Sequence, residues 1–366
     1  MSSGENKLSR YSRHELLPEV GPIGQAKIRA SKVLCIGAGG LGSPVISYLA
    51  AAGIGTLGII DYDRVDRTNL QRQIIHNESS LGELKAYSAE RFVKEINSDV
   101  EVHVHAIRLT EKNALEIIRE YDLVLDGSDN FSTRYLVNDA CVILGKPLVW
   151  GSVLRFDGQV SIFDSKNGPC YRCIFPKAPA PETVPNCSIA GVLGSVCGTV
   201  GTMMATEAIK YISGSGTQLI GKILLYSALD STFEKLNVIK KSDCIACSPS
   251  KAMKDLLPNY AQSCSEVPGV STLELESLIQ NVQPPVILDV RTEEEFAKER
   301  ISGAINIPSA QFAESFAQSG FTTQDRFIVY CQHGIRSIRC VSEMNKLGYW
   351  DVQSLEGGFT SWKLQH

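Results

Sequence analysis

The sequence predicts an α/β chain of two domains, the first built on a parallel sheet and the second a smaller α/β unit. Three observations predict it. Apolar strand-like runs alternate with helix-like runs along most of the chain, a glycine-rich turn follows the first of those strands, and a cysteine follows a buried strand late in the chain. Alternation of this kind implies βαβ units and a parallel sheet. At 366 residues, two domains are the natural expectation.

The first strand is read over 32–36 (KVLCI), and Gly37, Gly39, Gly40 and Gly42 follow as a tight turn of the G-x-G-x-x-G kind. Residues 43–52 are small and apolar enough for a helix packed closely on a sheet. Residues 56–60 form a second strand that ends at Asp61. Strand, glycine turn, helix, strand, acid is the nucleotide-binding half of a Rossmann-like fold. The glycines let the backbone approach a phosphate at a helix N-terminus. Asp61 stands where an acid accepts hydrogen bonds from ribose hydroxyls. The motif specifies an adenine nucleotide and leaves NAD and ATP both open. The segment after Asp61 favours ATP: Thr68, Asn69, Leu70, Gln71 and Arg72 come after Asp66 and Arg67, with Lys85 soon beyond. A triphosphate carries more charge than a dinucleotide pyrophosphate and calls for Arg and Lys. A solvated charged loop would account for any one of these residues alone.

Upstream, Arg10, Tyr11, Ser12, Arg13 and His14 read as a basic helical segment, which an ordinary solvated helix also explains. Downstream, helices are read over 80–97 and 113–120 and strands over 101–106 and 122–126. The last strand ends in Asp126-Gly127-Ser128-Asp129-Asn130. A carboxylate at the C-terminal end of a parallel strand points into the crevice where such sheets bind ligands, so Asp129 is a candidate Mg²⁺ ligand. The alternative is that Asp129 caps a helix starting at Ser132. Strands follow over 147–151 and 159–163. Cys170 and Cys173, then Cys244 and Cys247, form two C-x-x-C pairs that read as one closed, structural Cys₄ zinc site, the alternative being two unrelated turns with buried thiols. Between the pairs, Pro176, Pro179, Pro181 and Pro185 mark an exposed crossover segment. It carries Cys187, a bystander or a nucleophile. A Gly- and Ala-rich helix over 191–213 and strands over 223–226 and 233–238 complete a first domain of residues 1–248.

Residues 249–268 read as a linker, with Cys264 in it and no role assigned. The second domain, 269–366, is read as a helix over 273–281, a strand over 285–290, a helix over 293–299 and a turn and strand over 301–308. A buried strand over 327–330 then runs into Cys331-Gln332-His333-Gly334-Ile335-Arg336-Ser337 and a helix to about residue 347. A cysteine between a strand and a helix N-terminus has its thiolate favoured by backbone N–H groups and the helix dipole, and Arg336 adds a cation. A buried structural thiol is the alternative.

Composition narrows the classes. A hydrophobic fraction of 43% and a charged fraction of 21% are those of a globular chain. A net charge of −4 argues against a general nucleic-acid binder. The N-terminus lacks an apolar signal-type core, and the apolar runs are too short and too often broken by glycine to span a bilayer. Eleven cysteines, several in C-x-x-C pairs, point to metal or thiol chemistry in a reducing, cytoplasmic compartment.

Taken together, Arg13, GAGGLG, Asp61, NLQR at 69–72, Lys85, DGSDN at 126–130, both C-x-x-C pairs and CQHGIRS carry a resemblance. Residues 8–248 resemble the MoeB/ThiF enzymes, bacterial relatives of ubiquitin-activating enzymes, and residues 270–366 resemble a rhodanese domain. The whole is similar to the MoeZ-type adenylyltransferase/sulfurtransferases of molybdopterin, thiocarboxylate and tRNA-thiolation pathways. The resemblance implies ATP as nucleotide. Asp61 would hold its ribose, Asn69, Arg72 and Lys85 its phosphates, and Asp129, with Asn130 beside it, would hold Mg²⁺. It implies a homodimer in which Arg13 reaches the other subunit's site. Its substrate would be the C-terminal glycine of a ubiquitin-like sulfur carrier ending in Gly-Gly. Cys331 would take sulfur as a persulfide from a donor such as a cysteine desulfurase. Cys187 would form a transient acyl link or resolve an acyl-disulfide. Rhodaneses often carry a His before Pro-Gly-Ala; this chain has Arg300, Ile301 and Ser302 before Gly303 and Ala304, which bears on turnover of small donors such as thiosulfate. Two other readings stay on the table: a conjugation factor that passes the carrier through a Cys187 thioester, and an NAD-dependent dehydrogenase.

Overall fold

The apolar runs at 32–36 and 56–60 are buried along almost their whole length, as a parallel sheet covered on both faces requires. In the computed structural model they are β1 (Lys32–Ile36) and β2 (Thr56–Ile60), paired in parallel with Lys32 opposite Thr56. The structure describes residues 9–178, 191–250, 252–258, 260, 267 and 269–365, which form two compact units. In the first, β3 (Glu101–His105) lies outside β2, while β4 (Leu123–Asp126) and β5 (Leu148–Leu154) continue on the other side of β1, all parallel. Three antiparallel strands complete the sheet: β6 (Asp157–Phe163), β7 (Lys222–Ser227) and β8 (Thr232–Asn237). The order is β3-β2-β1-β4-β5-β6-β7-β8. The chain therefore reverses direction across the sheet between β1 and β4, and the carboxyl ends of those two strands open the crevice in which such folds bind ligands.

Helices α1 (Ser12–Glu15), α2 (Gly21–Ala30), α3 (Gly42–Ala52), α4 (Lys85–Ile96), α5 (Ala114–Arg119), α6 (Phe131–Leu144), α7 (Tyr171–Ile174) and α8 (Gly194–Ser213) cover it. Three departures from the expectation bear on the site. The helix predicted over 80–97 starts at Lys85, because Gly82 takes φ +81° and Leu84 is extended and bridged to Arg64. The glycine- and alanine-rich helix starts at Gly194. The cap of α6 is Asn130, whose Oδ1 accepts from the Thr133 N–H at 2.9 Å, so that role does not fall to Asp129. The small residues of α8 have a reason: a Cβ on Gly201 would lie 2.4 Å from Pro44 Cγ, so α8 packs backbone-close on α3.

Within the stretch read as linker, Tyr260 is buried in the first unit. Its hydroxyl donates to Asp139 Oδ2 at 2.8 Å, and Arg172 holds the same carboxylate through Nε and a terminal nitrogen, both at 2.7 Å.

The second unit is a five-stranded parallel sheet of β9 (Gly269–Val270), β10 (Val286–Asp289), β11 (Ile305–Asn306), β12 (Phe327–Tyr330) and β13 (Val352–Leu355), in the order β11-β10-β12-β13-β9. Helices α9 (Thr272–Ile279), α10 (Glu293–Lys298), α11 (Phe312–Ala317), α12 (Ile335–Lys346) and α13 (Gly358–Gln365) surround it. Its core is aromatic: Phe316, Phe327 and Tyr349 meet edge to face around β12. No described helix of either unit is long and apolar enough to cross a membrane.

Candidate active site and metal centre

The glycine turn is shaped by sterics. Gly37 takes φ +90°, and a Cβ on Gly42 would stand 1.9 Å from the Gly37 carbonyl oxygen, so neither position admits a side chain. The turn is tied to the end of β2 by Asp61, whose Oδ2 accepts from the Ala38 N–H at 2.8 Å and Oδ1 from the Asp63 N–H at 2.9 Å. Burial pushes the Asp61 carboxyl above its usual range, with Lys85 opposing. Gly39 lies beside Gln73, and Gly40 is closed in by Cys197 of α8, 3.1 Å from where a Cβ would stand, and by the stem of Arg72.

Lys85 is placed by the segment before it. The Lys85 N–H donates to the Asp63 carbonyl at 2.8 Å and Val65 N–H to Glu83, which sets the start of α4 against the end of β2. The Lys85 side chain is buried and its Nζ donates to Asp63 Oδ2 at 3.0 Å. Burial works against its charge, but Asp61, Asp63 and Asp129 outweigh it and hold the ammonium above its usual range. Lys85 is thus a fixed cation among three carboxylates at the mouth of the crevice. Asp129 is exposed there.

Thr68 and Asn69 build a short turn over Arg67–Asn69. Asp66 accepts from the Thr68 N–H and hydroxyl, and Asn69 Oδ1 accepts from the Asp66 N–H. Arg72 donates to the Thr68 carbonyl at 3.0 Å. Leu70 and Gln71 lie between, and the Gln71 carbonyl abuts Gly194 at the start of α8. The structure therefore gathers Gly37, Gly39, Gly40, Gly42, Asp61, Arg72, Lys85, Asp129 and Asn130 at one end of the sheet. Arg13 is elsewhere. It is exposed on α1, next to Tyr11, whose hydroxyl accepts from Asn97 at the far ends of α3 and α4. An eleven-residue helix such as α3 is about 16 Å long, so Arg13 lies roughly that far from the glycine turn of its own chain.

Sequence reasoning assigned no role to three residues. His76 is buried, with Nε2 at 3.0 Å from the Ala38 carbonyl and Nδ1 at 2.8 Å from the Ser88 hydroxyl. A carbonyl only accepts, so Nε2 carries the proton and Nδ1 accepts from Ser88. Burial lowers the His76 pKa and keeps the ring neutral. Asp126 is wholly buried under the turn, its carboxyl raised by burial, and Gln73 fills the space beside Gly39. The apolar strand that ends at Asp126 signals that acid's burial, whereas the neighbours of His76 and Gln73 along the chain carry no such signal.

The two C-x-x-C pairs do converge. Sγ separations are 3.9 Å for Cys170 to Cys173, 3.6 Å for Cys170 to Cys244 and 3.5 Å for Cys173 to Cys247, and all four sulfurs lie within 4.8 Å of one another. Disulfide bonds need about 2.05 Å. Four thiolates about 2.3 Å from a tetrahedral metal stand about 3.8 Å apart, so the donor set fits a closed metal site. Among the described residues it is the one cluster of this kind.

In the second unit, Cys331 follows β12 and is buried at the floor of a loop that ends in α12. The Gly334 N–H points at its Sγ at 3.1 Å, and the Ser337 hydroxyl lies 3.7 Å away. Gly334 takes φ +92°, which turns that N–H inward. Ser337 also bonds Ser354 of β13 at 2.8 Å. The loop is fixed from behind by α13, with Phe359 N–H on the Cys331 carbonyl at 2.8 Å and Thr360 N–H on the Gln332 carbonyl at 3.1 Å. Arg336 turns both terminal nitrogens onto Glu295, at 2.7 and 2.8 Å. Cys187 and Cys264 lie outside the described residues.

Comparison with known proteins agrees with this architecture. The ThiF family model matches residues 11–246 and the rhodanese-like domain model residues 271–365. The chain is 39% identical to the "Probable adenylyltransferase/sulfurtransferase MoeZ" of Mycobacterium tuberculosis, over 98% of this chain and 93% of that protein. It is 40% identical to the "Adenylyltransferase and sulfurtransferase MOCS3" of Aedes aegypti, over 98% and 87%. Among solved structures, E. coli MccB with ATP shares the fold at TM-score 0.58 and 24% identity, over 67% of this chain and 76% of that one. An α/β nucleotide crevice, a buried four-cysteine cluster and a cysteine loop on a second parallel sheet thus occur in one chain. That chain belongs to the ThiF family, joined to a rhodanese-like domain, and is an enzyme of the adenylyltransferase/sulfurtransferase type.

Proposed function

We propose that this enzyme adenylates the C-terminal glycine of a ubiquitin-like sulfur-carrier protein ending in Gly-Gly and then converts it to a thiocarboxylate. The observation that carries this is the pairing of Lys85, fixed among Asp61, Asp63 and Asp129, with the cradled Cys331 in one chain. Asp61 takes the ATP ribose, and Arg72, Lys85 and Asn69 face its phosphates. Asp129, beside Asn130, supplies the carboxylate for Mg²⁺, which would balance phosphate charge. The carrier carboxylate attacks the α-phosphate, giving an acyl-adenylate and pyrophosphate. The work of the site is alignment of a poor nucleophile and neutralisation of charge. Cys170, Cys173, Cys244 and Cys247 suit Zn²⁺ in a structural role. Arg13, far from its own crevice, serves the crevice of a second copy, so the working unit is a homodimer.

Cys331 carries the sulfur. Its persulfide, loaded by a donor such as a cysteine desulfurase, attacks the acyl-adenylate and AMP leaves; Cys187 is the thiol that resolves the resulting acyl-disulfide. The setting is cytoplasmic, in molybdopterin, tRNA-thiolation or a related sulfur pathway. Neither dehydrogenase chemistry nor protein conjugation is favoured by an observation in the described residues.

The test is mass spectrometry of a Gly-Gly-ending carrier incubated with enzyme, ATP, Mg²⁺ and a persulfide donor. One oxygen-for-sulfur exchange at the carrier terminus, abolished by Cys331→Ala, is expected. A carrier left unmodified while ATP is cleaved to AMP would overturn the sulfur half of the proposal.

A further inference from the structure

The charges around Cys331 bear on which sulfur donors the loop can take. Arg336 is the loop's own cation. It reaches Cys331, and its charge is matched by Glu295, whose carboxylate takes both terminal guanidinium nitrogens. Glu295 is itself locked, because it closes the capping box of α10 by accepting from the Thr292 N–H at 2.9 Å. Arg336 in turn holds the Glu295 carboxyl down to about 2, so the acid is ionised at any working pH. The neighbouring cation, Arg291, is buried against Asp289, with a hydrogen bond at 2.7 Å.

β10 and β12 are parallel neighbours with Asp289 opposite Tyr330, so the turn that starts α10 leaves the sheet at the same end as the Cys331 loop. That turn carries Glu293 and Glu294, both exposed, besides Glu295. Among the described residues of the loop and this turn, every Arg is paired and two carboxylates are left over. His333 is the remaining titratable group, and it bonds Thr360 at 3.2 Å.

We propose that Glu295 is a specificity-determining residue. By neutralising the guanidinium that faces Cys331, it denies the loop a net positive charge, so that Cys331 accepts sulfur from a persulfide of low charge carried on another protein's thiol and disfavours small dianions such as thiosulfate. This rests on the reading of Cys331 as the sulfur acceptor. With a persulfide donor, the Cys331 thiolate attacks the outer sulfur of R–S–S–H; the donor S–S bond breaks, R–S⁻ leaves, and Cys331–S–S–H forms. With thiosulfate the same attack expels sulfite, SO₃²⁻, and leaves Cys331–S–S⁻. The two loadings differ in charge: the second brings a dianion to a thiolate whose one cation is already neutralised, at the end of the sheet that also carries Glu293 and Glu294.

The experiment uses the full-length enzyme and compares kcat/KM for thiosulfate, with cyanide as acceptor, against kcat/KM for loading from a persulfidated cysteine desulfurase. In Glu295→Gln, the ratio of the first to the second should rise about tenfold, with the change in KM for thiosulfate. Wild-type turnover of thiosulfate should increase with salt, and the variant's should do so less, because screening replaces what the substitution removes. Glu293→Gln, an exposed position outside the capping box, should move the ratio in the same direction by a smaller factor and guards against a folding defect in the first variant. An unchanged or lower ratio in both variants overturns the proposal; a parallel fall with both donors would make Glu295 a group that merely aims Arg336. Thiocyanate formation that survives in Cys331→Ala would instead overturn the role of Cys331.

Discussion

At the scale of single residues, the crevice of the first unit works by fixing groups in advance. Lys85 cannot drift, since its backbone and its ammonium are both held by Asp63. Lys85→Ala should lower carrier-dependent pyrophosphate exchange into ATP by about 10²–10³-fold, in the range seen when one fixed charge-stabilising donor is lost. Circular dichroism should show the fold retained. His76 gives a pH prediction with a definite sign. Its folded-state pKa lies below the ordinary 6.5, so the stability it contributes is present above that value and lost as pH falls through and below it. The midpoint of urea unfolding should therefore drop between about pH 6.5 and 5, and His76→Gln should flatten that part of the profile. A profile identical in both proteins would show that His76 is not the group that titrates. These side chains also mark where sequence reading stops. Asp61 and Lys85 are legible because a known motif fixes their spacing. His76 is legible only once the end of β1 and α4 have met around it, since its partners are the Ala38 carbonyl and the Ser88 hydroxyl.

At the scale of elements, the helices and strands around the crevice arise from local pattern, and the departures have local causes. A window of helix-forming residues from 80 onward contains Gly82, whose left-handed backbone stops the helix and lets residues 82–85 pair with 63–65. That pairing is what delivers Lys85. In the second unit, β13 and α13 lie past the point where the pattern predicts an element, at about residue 347. Val352–Leu355 is too short to show a period, yet it supplies Ser354 and α13 braces the cysteine loop. The α3–α8 contact makes a sharper prediction. Gly201→Ala should cost about 1–3 kcal/mol through overpacking against Pro44 and the Leu41 carbonyl, read as a lower urea midpoint at constant m-value. The buried set of Asp139, Arg172 and Tyr260 is satisfied on every side. Asp139→Ala strands a buried guanidinium and should cost about 3–5 kcal/mol in the same measurement.

At the scale of the whole molecule, two predictions separate the parts. Stripping metal with a strong chelator should lower the melting transition of the first unit alone. The second unit has its own sheet and core, so rhodanese-type turnover should persist at temperatures where adenylation is lost. If the crevice borrows Arg13 from a second copy, Arg13→Ala and Lys85→Ala proteins, each weak alone, should regain activity when mixed and allowed to exchange subunits. Mixing that restores nothing would remove the cross-subunit role. The anchoring of Tyr260 has a consequence for how sulfur reaches the carrier. It fixes, on the first unit, one end of the chain segment that joins the two units. On the proposed function, a tether held at its root makes sulfur delivery a nearly unimolecular encounter. Tyr260→Ala should release that root and slow formation of the thiocarboxylate, while pyrophosphate exchange and thiocyanate formation, measured separately, keep their rates. The anchor then acts as a metering device: it sets how often the two centres meet without touching either reaction.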